Sequence, residues 1–239
     1  MSEVLVLIPS CTAFADTWSP GIDCMKKFWP GNPFDTLWLI AGNGYPHASL
    51  WPGRQGGRIF CSKTVPDIGW CATLADFTAW DSIGGAYEFT FLFLDDMFLC
   101  APPDDSRLNE AIGIMRDDPD ISAIQLYHRN DAGDQYREST FRVLPESSAY
   151  RVTTGPCLWR TKTLSNLAAR VAATSRGTAW DFELRGNDLA KGHAILSCGE
   201  KSVVPVQYTA VTRGKFEKSA IDWLLSIGIG VKTSRDVVE

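Results

Sequence analysis

The sequence predicts an α/β domain, with a mostly parallel central sheet flanked by helices and a smaller mixed region in the second half. Three observations predict it. Short, unbroken apolar runs recur at Val4 to Ile8, Thr36 to Ala41 and Phe89 to Leu94, the pattern of strands covered on both faces. Helical spacing fills the intervals, and a β-α-β-α-β succession folds as parallel strands with helices packed on the sheet. The 239 residues are 45% hydrophobic and 11% aromatic, enough to bury the core of one such domain.

In chain order, Gly21 to Trp29 is expected as a helix stopped by Pro30 and Gly31. Arg58 to Cys61 is a shorter strand candidate. Trp70, Leu74, Phe77 and Trp80 recur at spacings of four, three and three, which is one face of a helix. The second half is read as a helix over Ser106 to Arg116, a strand over Ile121 to Leu126, and short strands over Phe141 to Leu144 and Tyr150 to Thr153. Leu164, Leu167, Ala168 and Val171 mark an amphipathic helix with Thr161 or Thr163 as its N-cap. Thr178 to Lys191 is a further helix, Val203 to Tyr208 a late strand and Ser219 to Leu225 the last helix. No repeat, low-complexity tract or linker interrupts the series.

Composition narrows the function classes. The formal charge is −5 and the pI about 5.3, with Lys and Arg dispersed, so no basic face for duplex nucleic acid is evident. The acidic positions Asp104, Asp105, Asp117, Asp118 and Asp120 read as a solvated helix surface. Seven cysteines, an odd count without C-x-x-C spacing, suggest neither a disulfide framework nor a zinc knuckle. Met1 to Ile8 lacks the basic and long apolar regions of a signal peptide, and no run approaches the roughly 20 apolar residues of a membrane span. A reducing, cytoplasmic setting is expected.

The strongest chemical signal is the run Phe89 to Leu94 leading directly into Asp95 and Asp96. Open parallel sheets bind ligands outside the carboxyl ends of their strands. Two adjacent carboxylates there repel each other, and a hard divalent cation removes that penalty. The competing reading is a turn or helix cap, since Asp is common after strands for backbone reasons. Apolar residues on both sides of the pair, with Met97 to Leu99 resuming the run, favour the ligand-binding reading.

At these residues the sequence resembles a family. Phe93 to Asp96 is similar to the D-x-D-type motif, in its X-D-D variant, of GT-A glycosyltransferases of the family 2-like nucleotide-sugar transferases. Val4 to Cys11 resembles their first strand, whose following loop holds the nucleotide base and ribose. Thr153 to Trp159 and Thr178 to Glu183 resemble the acceptor-side region, where many members carry an acidic base. Thr212 to Lys215 resembles the late basic element that closes on the diphosphate. The matches fall in the family's order over most of the chain.

The resemblance implies a single GT-A, Rossmann-like domain over residues 1–239, with 1–103 as the nucleotide-sugar half and 104–239 as the acceptor side with a closing segment. It implies a nucleotide-sugar donor (a UDP-sugar favoured), Mn²⁺ or Mg²⁺ as cofactor, and a hydroxyl-bearing acceptor: glycan, protein, small molecule or modified nucleic-acid base. Asp96 would be the principal metal ligand, with Asp95 beside it contacting the metal and ribose or sugar hydroxyls. Pro9, Ser10, Cys11 and Asn43 would contact the donor, and Arg213 and Lys215 would add charge-assisted bonds to its phosphates. For Arg213 and Lys215 a solvated loop pair is the alternative. The family often adds a His to the metal shell, yet His47, His128 and His193 lie in no match to that element.

Asp181 and Glu183 are two residues apart. On a helix they project about 200° apart, so one alone faces a cleft; in extended chain they share a side. Glu183 is the first candidate for the general base and Asp181 the second, against an exposed helical Glu. Trp159 and Trp180 are candidates for a sugar-stacking wall, with a core role as the default for each. Gly53 to Arg58 is glycine-rich and basic without P-loop spacing, and is expected as a mobile loop near the donor. Two rivals stay open. A nucleotidyltransferase would need a Gly-rich basic loop after the first strand, where Pro9 to Asp16 has neither Gly nor a cation. A non-catalytic nucleotide-sugar-binding module would keep the fold without turnover.

Overall fold

A computed structural model describes residues 3–42, 54–55, 58–79, 86–207 and 209–238, and for 54–55 and 58–64 it describes the backbone. The elements run β1 (Val4–Cys11), a 3₁₀ turn (Thr12–Phe14), α1 (Ala15–Phe28), β2 (Asp35–Ala41), β3 (Arg54–Gln55), β4 (Arg58–Val65), α2 (Trp70–Ala79), β5 (Phe89–Leu92) and β6 (Phe98–Leu99). There follow α3 (Asp105–Asp117), β7 (Ile121–His128), β8 (Phe141–Val143), β9 (Cys157–Arg160), α4 (Thr161–Ala172), α5 (Ala179–Leu189) and β10 (Ala194–Cys198). The chain closes with β11 (Val206–Gln207), β12 (Val211–Thr212), β13 (Lys215–Glu217), α6 (Lys218–Ser226) and β14 (Val237–Val238).

The central sheet has the order β3-β4-β2-β1-β5-β9-β7-β10-β8. Strands β1, β2, β4, β5, β7 and β10 run one way, while β3, β9 and β8 run against them. Both faces are buried, and the two-residue period of a strand sorts side chains between them. Val4, Val6 and Ile8 of β1, with Phe89 and Phe91 of β5, face a core filled by Trp18 and Ile22 of α1, Leu108 and Met115 of α3 and Leu224 of α6. Leu5 and Leu7, with Leu92, face the opposite core, closed by Leu74 and Phe77 of α2, Leu164 and Val171 of α4 and Phe182 of α5. The mostly parallel, helix-covered sheet is thus present, and continuous apolar runs were its correct signature.

Four local expectations are corrected. Helix α1 begins at Ala15 rather than Gly21 and carries Pro20 inside, where proline costs a single intrahelical bond. Tyr150 to Thr153 is not a strand: side chains take its backbone partners, with Gln125 Nε2 donating to the carbonyls of Tyr150 (3.1 Å) and Arg151 (2.9 Å), and Arg151 N donating to Asn187 Oδ1 (2.8 Å). The strand of that region is β9, antiparallel between β5 and β7. Neither Thr161 nor Thr163 caps α4; its N-cap is Arg160, and the Thr161 hydroxyl pairs with that of Thr90 at 2.9 Å. Arg54 and Gln55 pair with Ile59 and Arg58 as a short antiparallel arm instead of a free loop, while Gly53, Gly56, Gly57 and Trp80 lie outside the described residues.

Candidate active site

The sheet positions the acidic pair. Phe93 N still donates to Leu7 O at 3.0 Å, so β5 stays in register with β1 to its last residue. The chain then turns, with Met97 N donating to Leu94 O at 3.3 Å, and resumes as β6 against β11. Asp95 and Asp96 occupy that turn at the carboxyl edge of the sheet, each only 8% exposed. From the neighbouring strand, Ser10 Oγ donates a short hydrogen bond to Asp95 Oδ2, and Trp18 Nε1 of α1 donates to Ser10 Oγ at 2.7 Å. The relay Trp18–Ser10–Asp95 fixes one carboxylate oxygen and leaves Oδ1 for other work. Burial and the adjacent Asp96 push the Asp95 carboxyl well above the usual range. Burial likewise raises Asp96 to about 6, against the opposing help of backbone amides at Asp96 and Val211 and the field of Arg235.

A cleft of about 1370 Å³ opens over this edge. Pro9, Ser10, Cys11, Asp95, Asp96, Arg213 and Glu183 all line it; Asp181 and Lys215 do not. Burial, with the charge of Asp95 adding to it, raises the thiol pKa of Cys11, so it enters the cleft as a neutral group. Asn43 and His47 lie outside the described residues. Arg213 sits in the left-handed region at φ 51°, beside Gly214 at φ 78°, in a tight turn between β12 and β13. The turn is anchored from beneath, because Ala210 N donates to the Asp96 carbonyl at 2.9 Å. Lys215 is ion-paired to Asp236 at 3.3 Å on the far side of that hairpin.

The helical geometry of α5 separates Asp181 from Glu183. Thr178 Oγ1 accepts from Asp181 N (3.0 Å), and Asp181 Oδ2 accepts from Thr178 N (3.0 Å) and Thr178 Oγ1 (2.9 Å): a capping box that holds the Asp181 carboxylate below the usual range. Glu183 turns into the cleft, where its Oε1 accepts from Thr154 N (2.8 Å) and Thr154 Oγ1 (2.7 Å). Trp159 is fully buried in the core and Trp180 is 67% exposed on the cleft wall. His193 bonds Ser122 at 2.8 Å, and His128 bonds Asn130 at 2.7 Å on the cleft rim.

Sequence reasoning missed the C-terminal strap. Strand β14 lies parallel to β13, and Arg235 just before it stacks 4.5 Å over the Phe14 ring. Its Nε pairs with Asp16 Oδ2 at 2.8 Å, and its Nη atoms donate to the carbonyls of Gly214 (3.2 Å) and Ala13. Arg235 and Asp16 are 219 positions apart in sequence, with no local pattern to link them. The contact of Trp18 with Ser10, and the place of Tyr127 to Asp131 in the cleft lining, were missed for the same reason.

The residues fit a hard divalent cation. Two carboxylates, without a direct ion pair among the described residues and raised by their own burial, supply oxygen donors of the kind Mg²⁺ or Mn²⁺ takes. Among the described residues no cluster of three His, Cys, Asp or Glu forms; an ion held by Asp95 and Asp96 would keep water and substrate phosphates as further ligands, as is usual for Mg²⁺. No described helix is long and apolar enough to cross a membrane. Cys11, Cys24, Cys71, Cys100, Cys157 and Cys198 are free.

No protein-family model and no curated protein matches this sequence. Solved structures do match in fold. A mannosyltransferase, PcManGT from Pyrobaculum calidifontis in complex with GDP-Man and Mn²⁺, aligns with a TM-score of 0.56 at 14% identity, over 89% of this chain and 58% of that one. TarS from S. aureus, residues 1–349 in complex with UDP-GlcNAc, aligns at 0.49 and 11% identity, over 84% of this chain and 57% of that one. This chain therefore spans 58% of the length of the mannosyltransferase it matches. With six parallel strands between two helical layers and its acidic turn at the carboxyl edge, the chain has the GT-A fold of nucleotide-sugar glycosyltransferases.

Proposed function

We infer that the chain is a metal-dependent glycosyltransferase that moves a sugar from a nucleotide-diphosphate sugar to a hydroxyl acceptor. The observation that carries this reading is the convergence of Asp95, Asp96, Arg213 and Glu183 on one cleft at the carboxyl edge of the sheet. Asp96 and Oδ1 of Asp95 are the groups that would hold Mn²⁺ or Mg²⁺. Once bound, such an ion neutralises charge that builds on a departing diphosphate. Arg213, without an ion-pair partner among the described residues, adds a fixed cation on the same side, while Lys215 is engaged by Asp236 and serves the hairpin. Pro9 and Cys11 form the donor wall, and Ser10 acts through Asp95. Residues 1–103 then carry most donor contacts and 104–239 the acceptor side and closing turn.

Glu183 is the general base in an inverting transfer. Its Oε1 is held by Thr154, and Oε2 would be the oxygen that takes the proton of an incoming hydroxyl within hydrogen-bond reach. Asp181, locked in its capping box, orients α5. A UDP-sugar is the first donor to test. A GDP-sugar is the second, because the neighbouring mannosyltransferase binds GDP-mannose. Isothermal titration with UDP-, GDP- and TDP-sugars, with and without Mn²⁺, should give binding to at least one that is lost in Asp96→Ala. Binding to none, or binding indifferent to that substitution, overturns the assignment.

A further inference from the structure

Ligand pockets commonly enclose about 300–1,000 Å³, and this cleft, at about 1370 Å³, is larger than that range. The part of its lining drawn from residues 127–154 and 179–183 carries two aromatic rings that the core does not use. Trp180 is 67% exposed and lies three residues before Glu183, on the same face of α5. Tyr150 is 44% exposed and held at φ 52°, a left-handed conformation that strains a non-glycine residue. Gln125 Nε2 and Arg129 Nη1 both donate to its carbonyl, at 3.1 Å each, and over-determine that backbone. A strained residue stapled by side chains so that its ring stays exposed is a feature of ligand sites.

Charge decides what lies against those rings. Arg129 is clamped on Asp131, at 2.7 and 2.6 Å, and Glu183 adds a negative charge. Arg213 is the other cleft-lining cation among the described residues. A phosphodiester backbone needs several free cations, and this wall offers none beyond Arg213. An uncharged ring with flat C–H faces and a hydroxyl rim fits it.

We propose that Trp180 and Tyr150 form the acceptor subsite and that the acceptor is an uncharged saccharide, its ring faces against the two aromatics and one hydroxyl on Glu183 Oε2. This rests on the sugar-transfer reading. In the reaction, the acceptor O–H proton passes to Glu183 as its oxygen bonds the donor's anomeric carbon; the bond from that carbon to the diphosphate breaks with its electron pair, releasing the nucleoside diphosphate.

The test is tryptophan fluorescence and saturation-transfer NMR on the full chain with UDP or GDP and Mn²⁺. The probes are the methyl glycosides of glucose, galactose, mannose and N-acetylglucosamine, the disaccharides maltose, cellobiose and lactose, and single-stranded oligothymidylate. At least one saccharide should bind saturably, at least tenfold more weakly in Trp180→Ala and severalfold more weakly in Tyr150→Ala, with nucleotide affinity within twofold of wild type in both. The subsite is refuted if no saccharide of the panel binds, if binding ignores Trp180→Ala, or if oligothymidylate binds through Trp180, which would assign the rings to nucleobases. Absence of nucleotide binding in the wild type would instead sink the sugar-transfer reading itself.

Discussion

Burying Asp95 and Asp96 side by side costs stability that a bound cation would restore, and the sign of that cost is measurable. Asp96 titrates near 6 when folded, against 3.8 ordinarily, so between those values the folded state binds more protons than the unfolded one. Its contribution is complete below the unfolded value and is lost as pH rises through about 6. The shift corresponds to up to about 3 kcal/mol. Asp96→Asn should therefore raise the metal-free Tm at pH 7.5 and leave it unchanged near pH 4, while abolishing metal-dependent donor binding. Calorimetry from pH 4 to 8 checks this, and a variant less stable than wild type throughout would show that Asp96 is already satisfied. Ser10→Ala removes both the donor to Asp95 Oδ2 and the hydroxyl that accepts from Trp18 Nε1 in a buried site. A loss of about 1–3 kcal/mol is expected by urea denaturation, with no loss if the hydroxyl is dispensable.

At the scale of elements, α5 separates a carboxylate held in its capping box, Asp181, from one that lines the cleft, Glu183. Asp181→Asn weakens the capping box and should cost about 0.5–2 kcal/mol of stability while leaving kcat within a few-fold. Glu183→Gln keeps an oxygen for Thr154 and should leave the Tm near wild type, with kcat falling 100-fold or more. Reversal of the two outcomes would exchange their roles. The sequence carried β1, β2, β5 and α2 plainly, because buried parallel strands are apolar without interruption and a four-three-three spacing admits only a helix. It misread Tyr150 to Thr153, whose β-prone composition is overridden by Gln125, Arg129 and Asn187, side chains that local pattern cannot foresee. Asp95 and Asp96 were visible because two charges interrupting an apolar run demand a reason. Their support by Ser10 and Trp18 was not, since neither residue type carries that role in its neighbourhood.

Across the whole molecule, the chain's last strand closes over its first loop. Arg235 ties Asp16, Ala13 and Gly214 together, and so joins the start of α1 to the turn that carries Arg213. Its guanidinium and the Asp16 carboxylate are each 14% exposed, so Arg235→Met removes the cation from a nearly dry site and leaves the Asp16 carboxylate with the Thr233 hydroxyl, at 2.6 Å, as a donor. A loss of about 1–3 kcal/mol follows from that lost charge-assisted partner, with severalfold weaker donor binding as the Arg213 turn loosens. Denaturation and nucleotide titration read the two effects separately. Unchanged donor affinity in a destabilised Arg235→Met would make the strap purely structural. The acidic turn remains the centre on which the rest depends. A crystal soaked with Mn²⁺ and UDP tests it most directly: an anomalous peak within about 2.5 Å of Asp96 oxygens, bridged to both phosphates, is expected. A nucleotide bound elsewhere, or Mn²⁺ found away from Asp95 and Asp96, would contradict the account.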